Sequence, residues 1–194
     1  MKKYSIMLLV YFTAVSHLYA QTQADSVFYN TKQSQWLREK TGSWKVTMTL
    51  QPFKNTSPQI VHDLEAERTM IGALCMHEIM VPTRNSEPPL FERVSDLDYN
   101  KNEERWDYVT IDTRITGGIM YFTNFSQTTD SIVSYILNFT HPGFGPELKD
   151  RGNNVKIRNV IITVSPDHDI VKQYWKLTDS QEWLAVQYEY FRNK

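Results

Sequence analysis

From Trp44 onward, apolar and polar residues alternate in short segments cut by turn residues, and the pattern runs as far as Phe191. A period of two sends successive side chains to opposite faces, and a long series of such segments predicts an antiparallel sheet closed into a barrel. The first segment is the most regular, with Trp44, Val46, Met48 and Leu50 on one face and Lys45, Thr47, Thr49 and Gln51 on the other. Such a strand has one wet face. After a polar turn at 52–58, residues 60–71 set Asp63, Glu65, Glu67 and Thr69 against Leu64, Ala66, Arg68 and Met70, which turns Arg68 inward. Gly72 permits a tight turn or bulge into a third segment, 73–81, and a longer loop follows around 85–89. Segments 90–98 and 105–112 form a hairpin, and in its second arm Trp106, Tyr108, Thr110 and Asp112 face the core. Further strands are predicted at 119–125, 131–139, 155–164, 170–177 and 183–192, with Gly117 and Gly118 marking one turn and 141–154 a long loop.

Ahead of the strands, residues 25–40 carry a polar lead-in and a short helix, with Phe28, Trp36 and Leu37 as its apolar face and Gly42 as its stop. This helix either closes one end of the barrel or packs on its outside. The fold class is therefore all-β: one antiparallel up-and-down β-barrel of about ten strands with a short N-terminal helix. Such barrels fill their interior with side chains or hold one small ligand, so the architecture favours a container over a catalyst.

The first residues add a compartment. Lys2 and Lys3 precede an apolar stretch from Ile6 to Val15 and a more polar Ser16-His17-Leu18-Tyr19-Ala20, the order of a secretory signal peptide. The chain divides into a signal peptide at 1–20, a lead-in with the helix at 21–43, and the barrel at 44–192. The apolar stretch is shorter than the ~20 residues a spanning helix needs, so a soluble mature protein is expected to begin near Gln21. Without Lys2 and Lys3, 19 basic residues face 22 acidic ones, a formal charge of −3 that points to no nucleic-acid partner. The lone Cys75 allows no internal disulfide and lies too deep for lipid attachment at the cleavage point. A bacterial periplasm or exterior is the expected location, and the sequons at Asn55, Asn124 and Asn138 are explained by chance.

Gly42-Ser43-Trp44 places Gly-x-Trp at the start of the first strand, directly after the short helix, and this resembles the opening motif of lipocalin-type barrels. The resemblance implies that Trp44 closes the barrel's base and that Arg192, near the end of the last strand, packs across it. Gly42, Trp44 and Arg192 are then the closure residues. The chain is also similar to an uncharacterised, often secreted lipocalin-like family known as domain of unknown function 1579. The residues carrying that likeness are Gly42-Ser43-Trp44, Glu67-Arg68-Thr69-Met70-Ile71-Gly72, Asp98-Tyr99-Asn100-Lys101 and the run Trp106 to Asp112. It spans roughly 35–192, although a second glycine after Gly72 is absent and Leu97 stands where a glycine commonly precedes the hairpin. The family carries no assigned activity.

Few residues advertise chemistry. His77-Glu78 matches half of a His-Glu-x-x-His zinc motif, but Val81 takes the second histidine's place and the segment is a strand. Cys75 and His77 share a strand face without a third ligand nearby, which makes them a buried thiol beside a core histidine. Asp96-x-Asp98-x-Asn100 opens like a calcium loop, yet Lys101 occupies the obligatory glycine position. Asp167-His168-Asp169 is turn chemistry after Pro166, and His141 falls in a loop where exposure is the default. With only seven glycines there is neither a nucleophile elbow nor a phosphate-cradling loop, and nothing asks for a metal or a cofactor.

What remains is polar residues on the inward face: Arg68, Arg93, Asp112, His77 and Gln173. Charges inside a barrel are costly unless paired or hydrated, so they form either an internal Arg-Asp network that fixes register or a head-group site. On the second reading an arginine meets an anionic group while Trp106, Tyr108, Tyr121, Trp175 and Tyr188 line an apolar cavity. Three functions follow: a container for a small apolar or amphiphilic ligand, an enzyme using Asp112 or His77 beside an internal arginine, or an interaction scaffold with a filled barrel.

Overall fold

Thr31 starts the helix by capping it: its hydroxyl accepts from the Ser34 amide at 3.0 Å, and the Ser34 hydroxyl accepts from the Thr31 amide at 3.1 Å. This reciprocal box satisfies two otherwise orphaned donors at the start of α1 (Lys32–Glu39). The computed structural model describes residues 30–194 apart from 52, 55, 56, 58, 84–90, 114–117, 127, 142, 144–150 and 179, and apart from the side chains at 59–62, 137 and 138. The leader, Phe28, Asn55, Gly117 and the loop at 85–89 therefore lie outside the described residues, as does most of the 141–154 loop.

Ten strands follow the helix: β1 (Gly42–Leu50), β2 (Gln59–Ile71), β3 (Cys75–Pro82), β4 (Arg93–Asn100), β5 (Arg105–Asp112), β6 (Ile119–Asn124), β7 (Ser131–Thr140), β8 (Asn154–Ser165), β9 (His168–Leu177) and β10 (Trp183–Arg192). Each pairs antiparallel with the next, and β1 pairs with β10 from Trp44↔Arg192 to Leu50↔Val186, closing the barrel. The all-β up-and-down barrel expected from the period-two pattern is the fold. Closure leaves every strand paired on both sides, which removes exposed sheet edges.

The inward face of each strand carries the core. Val46, Met48, Leu64, Met80, Leu97, Phe122, Ile132, Ile157 and Tyr188 are all buried along it. Trp36 and Leu37 of α1 are buried too, and Trp36 stands edge-on to Trp106 with centroids 5.6 Å apart. The helix thus closes the end of the barrel where β1 begins and β10 finishes, which we call the base. The connections β1–β2, β3–β4, β5–β6, β7–β8 and β9–β10 gather at the other end, the mouth.

Gly42 is required at the base. Its φ of +112° is strained for any side chain, and a Cβ there would stand 3.2 Å from Nη1 of Arg192. Arg192 cannot easily yield, because it donates to the Thr41 and Glu39 carbonyls and pairs with Asp167 at 3.0 Å. Its guanidinium lies 4.5 Å from the centre of the Trp44 ring, and Trp44 is fully buried.

Candidate functional site

Charges in the base form one network. Arg68 on β2 pairs with Glu78 on β3 at 2.7 Å and with Asp169 on β9 at 2.9 Å, and Lys40, just beyond α1, reaches Asp169 at 2.6 Å. Lys40 also donates to the Ser165 carbonyl at 2.9 Å. Ser95 and Tyr190 hydroxyls donate to Glu78, each at 3.3 Å. All four charged groups are nearly sealed from solvent, and their signs balance. Aromatic faces cover the cations: the Arg68 guanidinium lies 4.6 Å from the Trp44 ring centre and 4.3 Å from that of Tyr190. Burial opposes the charge on Arg68, but Glu78, then Tyr190 and Asp169, more than offset it and hold the guanidinium above its ordinary pKa. The cavity beside this network measures about 30 Å³ and is lined by Arg68, Glu78, Ser95, Tyr108, Asp169 and Tyr190 among others. That is room for a water or two, not for an organic ligand.

The middle of the lumen is built differently. Arg93, at the start of β4, donates through Nε to Thr110 at 2.9 Å and through Nη2 to the Tyr108 hydroxyl at 2.6 Å. Its guanidinium lies 4.6 Å from the Tyr188 ring centre on β10, so the side chain crosses the lumen. Burial works against this cation too, and its pKa is raised first by Tyr108, Tyr188 and Tyr190 and last by Glu78. Its remaining nitrogen, Nη1, is buried and makes no hydrogen bond among the described residues.

Facing it is a row of neutral polar side chains. Ser134, Asn159 and Gln173 are direct register partners across β7, β8 and β9, all buried and all inward. The Ser134 hydroxyl, both amide atoms of Asn159 and the Gln173 amide nitrogen likewise lack a hydrogen-bond partner among the described residues. In the ten-strand ring β9 stands five strands from β4, on the opposite wall. Toward the mouth the lumen turns aromatic, with Trp175 at 6.0 Å from Phe139, 5.4 Å from His141 and 6.4 Å from Trp183, centroid to centroid.

Of the residues picked out in the sequence, Arg68, Arg93, Trp106, Tyr108, Asp112, Trp175 and Tyr188 face inward, though not into one pocket. Arg68 and Trp106 belong to the base, Arg93, Tyr108 and Tyr188 to the middle, and Trp175 to the mouth. Asp112, buried at the end of β5, is the register partner of Arg93. Two expectations are corrected. His77 lies outside, because Met76, Glu78 and Met80 take the inward positions of β3, and its Nδ1 meets Asp96 at 2.7 Å on the outer face. Tyr121 also points out, between inward Met120 and Phe122, 46% exposed and donating to Asp107 at 2.7 Å. Among the described residues, His77 therefore does not meet the internal arginines Arg68 and Arg93.

The sequence reading missed Glu78, Asp169, Lys40, Ser134 and Asn159, and it placed His141 in solvent, whereas His141 is buried against Trp175. No group of three or more His, Cys, Asp and Glu side chains is placed to hold a metal ion among the described residues. Burial, then Asp96 and Asp98, push the Cys75 thiol up to about 11, which keeps it protonated and unreactive.

The buried phenols set an alkaline limit. Burial, ahead of nearby Glu78, raises the Tyr190 hydroxyl well above its ordinary pKa, and burial raises Tyr108 as well. Unfolded tyrosines release their protons near about pH 10, while the folded chain retains these, so the unfolded state binds fewer protons above that point. The stability they support is complete below about pH 10 and falls as pH rises toward the folded values. Urea midpoints are expected to be level from pH 8 to 9 and to drop above about pH 10, with phenolate absorbance from the buried rings appearing only as the barrel opens.

No protein-family model matches the chain, and no curated protein matches it. Among solved structures it is similar to Rv2717c from M. tuberculosis, with a TM-score of 0.57 and 12% identity over 84% of this chain and 99% of that one. It is also similar to the S-type phycobiliprotein lyase CPES from Guillardia theta, with a TM-score of 0.52 and 10% identity over 88% and 97%. At these identities the likeness is one of fold alone: a closed antiparallel β-barrel.

Proposed function

We propose that this protein carries a small amphiphilic molecule in its barrel, with the polar end at mid-lumen and the apolar end toward the mouth. One observation carries the reading: buried polar atoms of Arg93, Ser134, Asn159 and Gln173 face the lumen without hydrogen-bond partners among the described residues, immediately below an aromatic cluster. A buried donor or acceptor left unmet costs about 1–3 kcal/mol, and a fold that served only as a solid scaffold gains nothing from several of them. The base, by contrast, is satisfied and nearly filled, as a floor should be. The likeness to the uncharacterised secreted family belongs to the same proposal, as does export through the leader at 1–20 to a periplasm or the exterior.

A second reading, the interaction scaffold, is favoured by a different feature. Ile79, Val94, Ile111 and Ile119 are register partners across β3 to β6 on the outer face, and Ile79, Ile111 and Ile119 are exposed. Such an aliphatic row suits a protein partner.

Native mass spectrometry of the protein taken from its own host's exported fraction tests the first reading. The expected spectrum shows a stoichiometric small molecule on a chain that begins near Gln21. A bare mass, together with no displacement of an apolar fluorescent probe by any lipid extract of the host, would overturn the container.

A further inference from the structure

Granting the lumenal container just proposed, we infer that its ligand is a monocarboxylate, held by Arg93 on one wall and by Asn159, Gln173 and Ser134 on the other. The inference deepens that reading by naming the head group. It starts from the kind of atoms left unmet. Arg93 Nη1, Gln173 Nε2 and Asn159 Nδ2 can only donate, while the Ser134 hydroxyl can turn either way and only Asn159 Oδ1 must accept. The site is thus rich in donors around one fixed cation. A carboxylate offers about four lone-pair positions to such a set, whereas an alcohol offers two and an ammonium group none.

The guanidinium is also prepared in advance. Thr110 and Tyr108 hold two of its nitrogens and the Tyr188 ring lies against its face, which fixes the direction of the free Nη1. These contacts lead away from Asp112, the register partner of Arg93, toward residues nearer the base on β5. Among the described residues, the ionisable groups around Arg93 are its register partner Asp112 and the phenols of Tyr108, Tyr188 and Tyr190, with Glu78 acting least. One cation with a buried carboxylate on the adjacent strand suits a single negative charge better than a doubly charged phosphate.

Direction follows from what flanks the site. The base side is closed by the neutral Lys40-Asp169-Arg68-Glu78 network and a cavity of about 30 Å³. Trp175, Phe139 and Trp183 lie on the mouth side. An alkyl or aryl tail accordingly runs toward the mouth, with the carboxylate innermost.

The test is calorimetric titration of delipidated protein with dodecanoate, dodecanol and dodecylamine, which share a tail and differ in head group. Dodecanoate is expected to bind about ten- to a hundred-fold more tightly than dodecanol, the range a charge-assisted hydrogen bond supplies, and dodecylamine more weakly still. Arg93→Met is expected to erase that preference. Gln173→Leu, on the opposite wall and without a role in holding other side chains, is expected to fold normally and to narrow the preference several-fold. Equal binding of dodecanoate and dodecanol would overturn the carboxylate site while leaving the container intact. No binding of any of the three would remove the container and the head-group site together.

Discussion

Asp169→Asn is expected to destabilise the barrel by about 3–5 kcal/mol, the cost of leaving a buried cation without its partner. Asp169 is 1% exposed and is the one carboxylate shared by Lys40 at 2.6 Å and Arg68 at 2.9 Å. Neutralising it leaves two cations and only Glu78 in a space nearly sealed from solvent. Lys40→Met creates the opposite imbalance, with Asp169 and Glu78 around Arg68 alone. The double variant restores neutrality as the pair Arg68–Glu78 at 2.7 Å, so its loss is expected to fall well short of the sum of the two single losses. Urea unfolding of all three variants reads this directly. Additive losses would mean that the four groups act as separate pairs and not as a joint between α1, β2, β3 and β9.

That network shows where a strand-by-strand reading stops. Period-two alternation was enough to turn Arg68 inward, because Leu64 and Ala66 share its face and leave no alternative. It could not orient β3, where Cys75, His77, Ile79 and Val81 look as suitable for the core as Met76, Glu78 and Met80. Pairing the strands would have decided it. Ile71 meets Cys75 across the turn at Gly72, which sets Arg68 opposite Glu78, and an inward arginine demands an inward carboxylate beside it. Lys40 and Asp169 escaped for another reason: one leaves the end of a helix and the other follows a turn, where local chemistry explains a charge without any burial. His141 and Asn159 carry no local mark at all. Their burial depends on strands distant in sequence, and only closure of the barrel brings the Arg93 wall to face the Asn159 wall.

Asn159→Leu is expected to do what few core substitutions do, which is to raise the stability of the ligand-free barrel, by about 2 kcal/mol, while weakening dodecanoate binding by about ten-fold. The side chain is fully buried, and neither of its amide atoms has a hydrogen-bond partner among the described residues. Leucine shares the branched outline of asparagine and would stand between Ile157 and Ile161 on the inward face of β8, its extra bulk directed into the lumen. Replacing an unmet amide by an apolar group removes the desolvation cost and adds apolar contact. Thr110→Val makes the control, because the Thr110 hydroxyl accepts from Arg93 Nε at 2.9 Å and its loss leaves another buried donor unmet. That variant is expected to lose stability where Asn159→Leu gains it. Opposite signs in the urea midpoints, with both variants losing affinity for dodecanoate, would mean that the lumen retains its polar row at a cost in stability that binding offsets. A loss of stability in Asn159→Leu would instead mean that ordered water already meets the amide in the empty barrel, and the row would then be part of the scaffold and no longer a reason to expect a ligand.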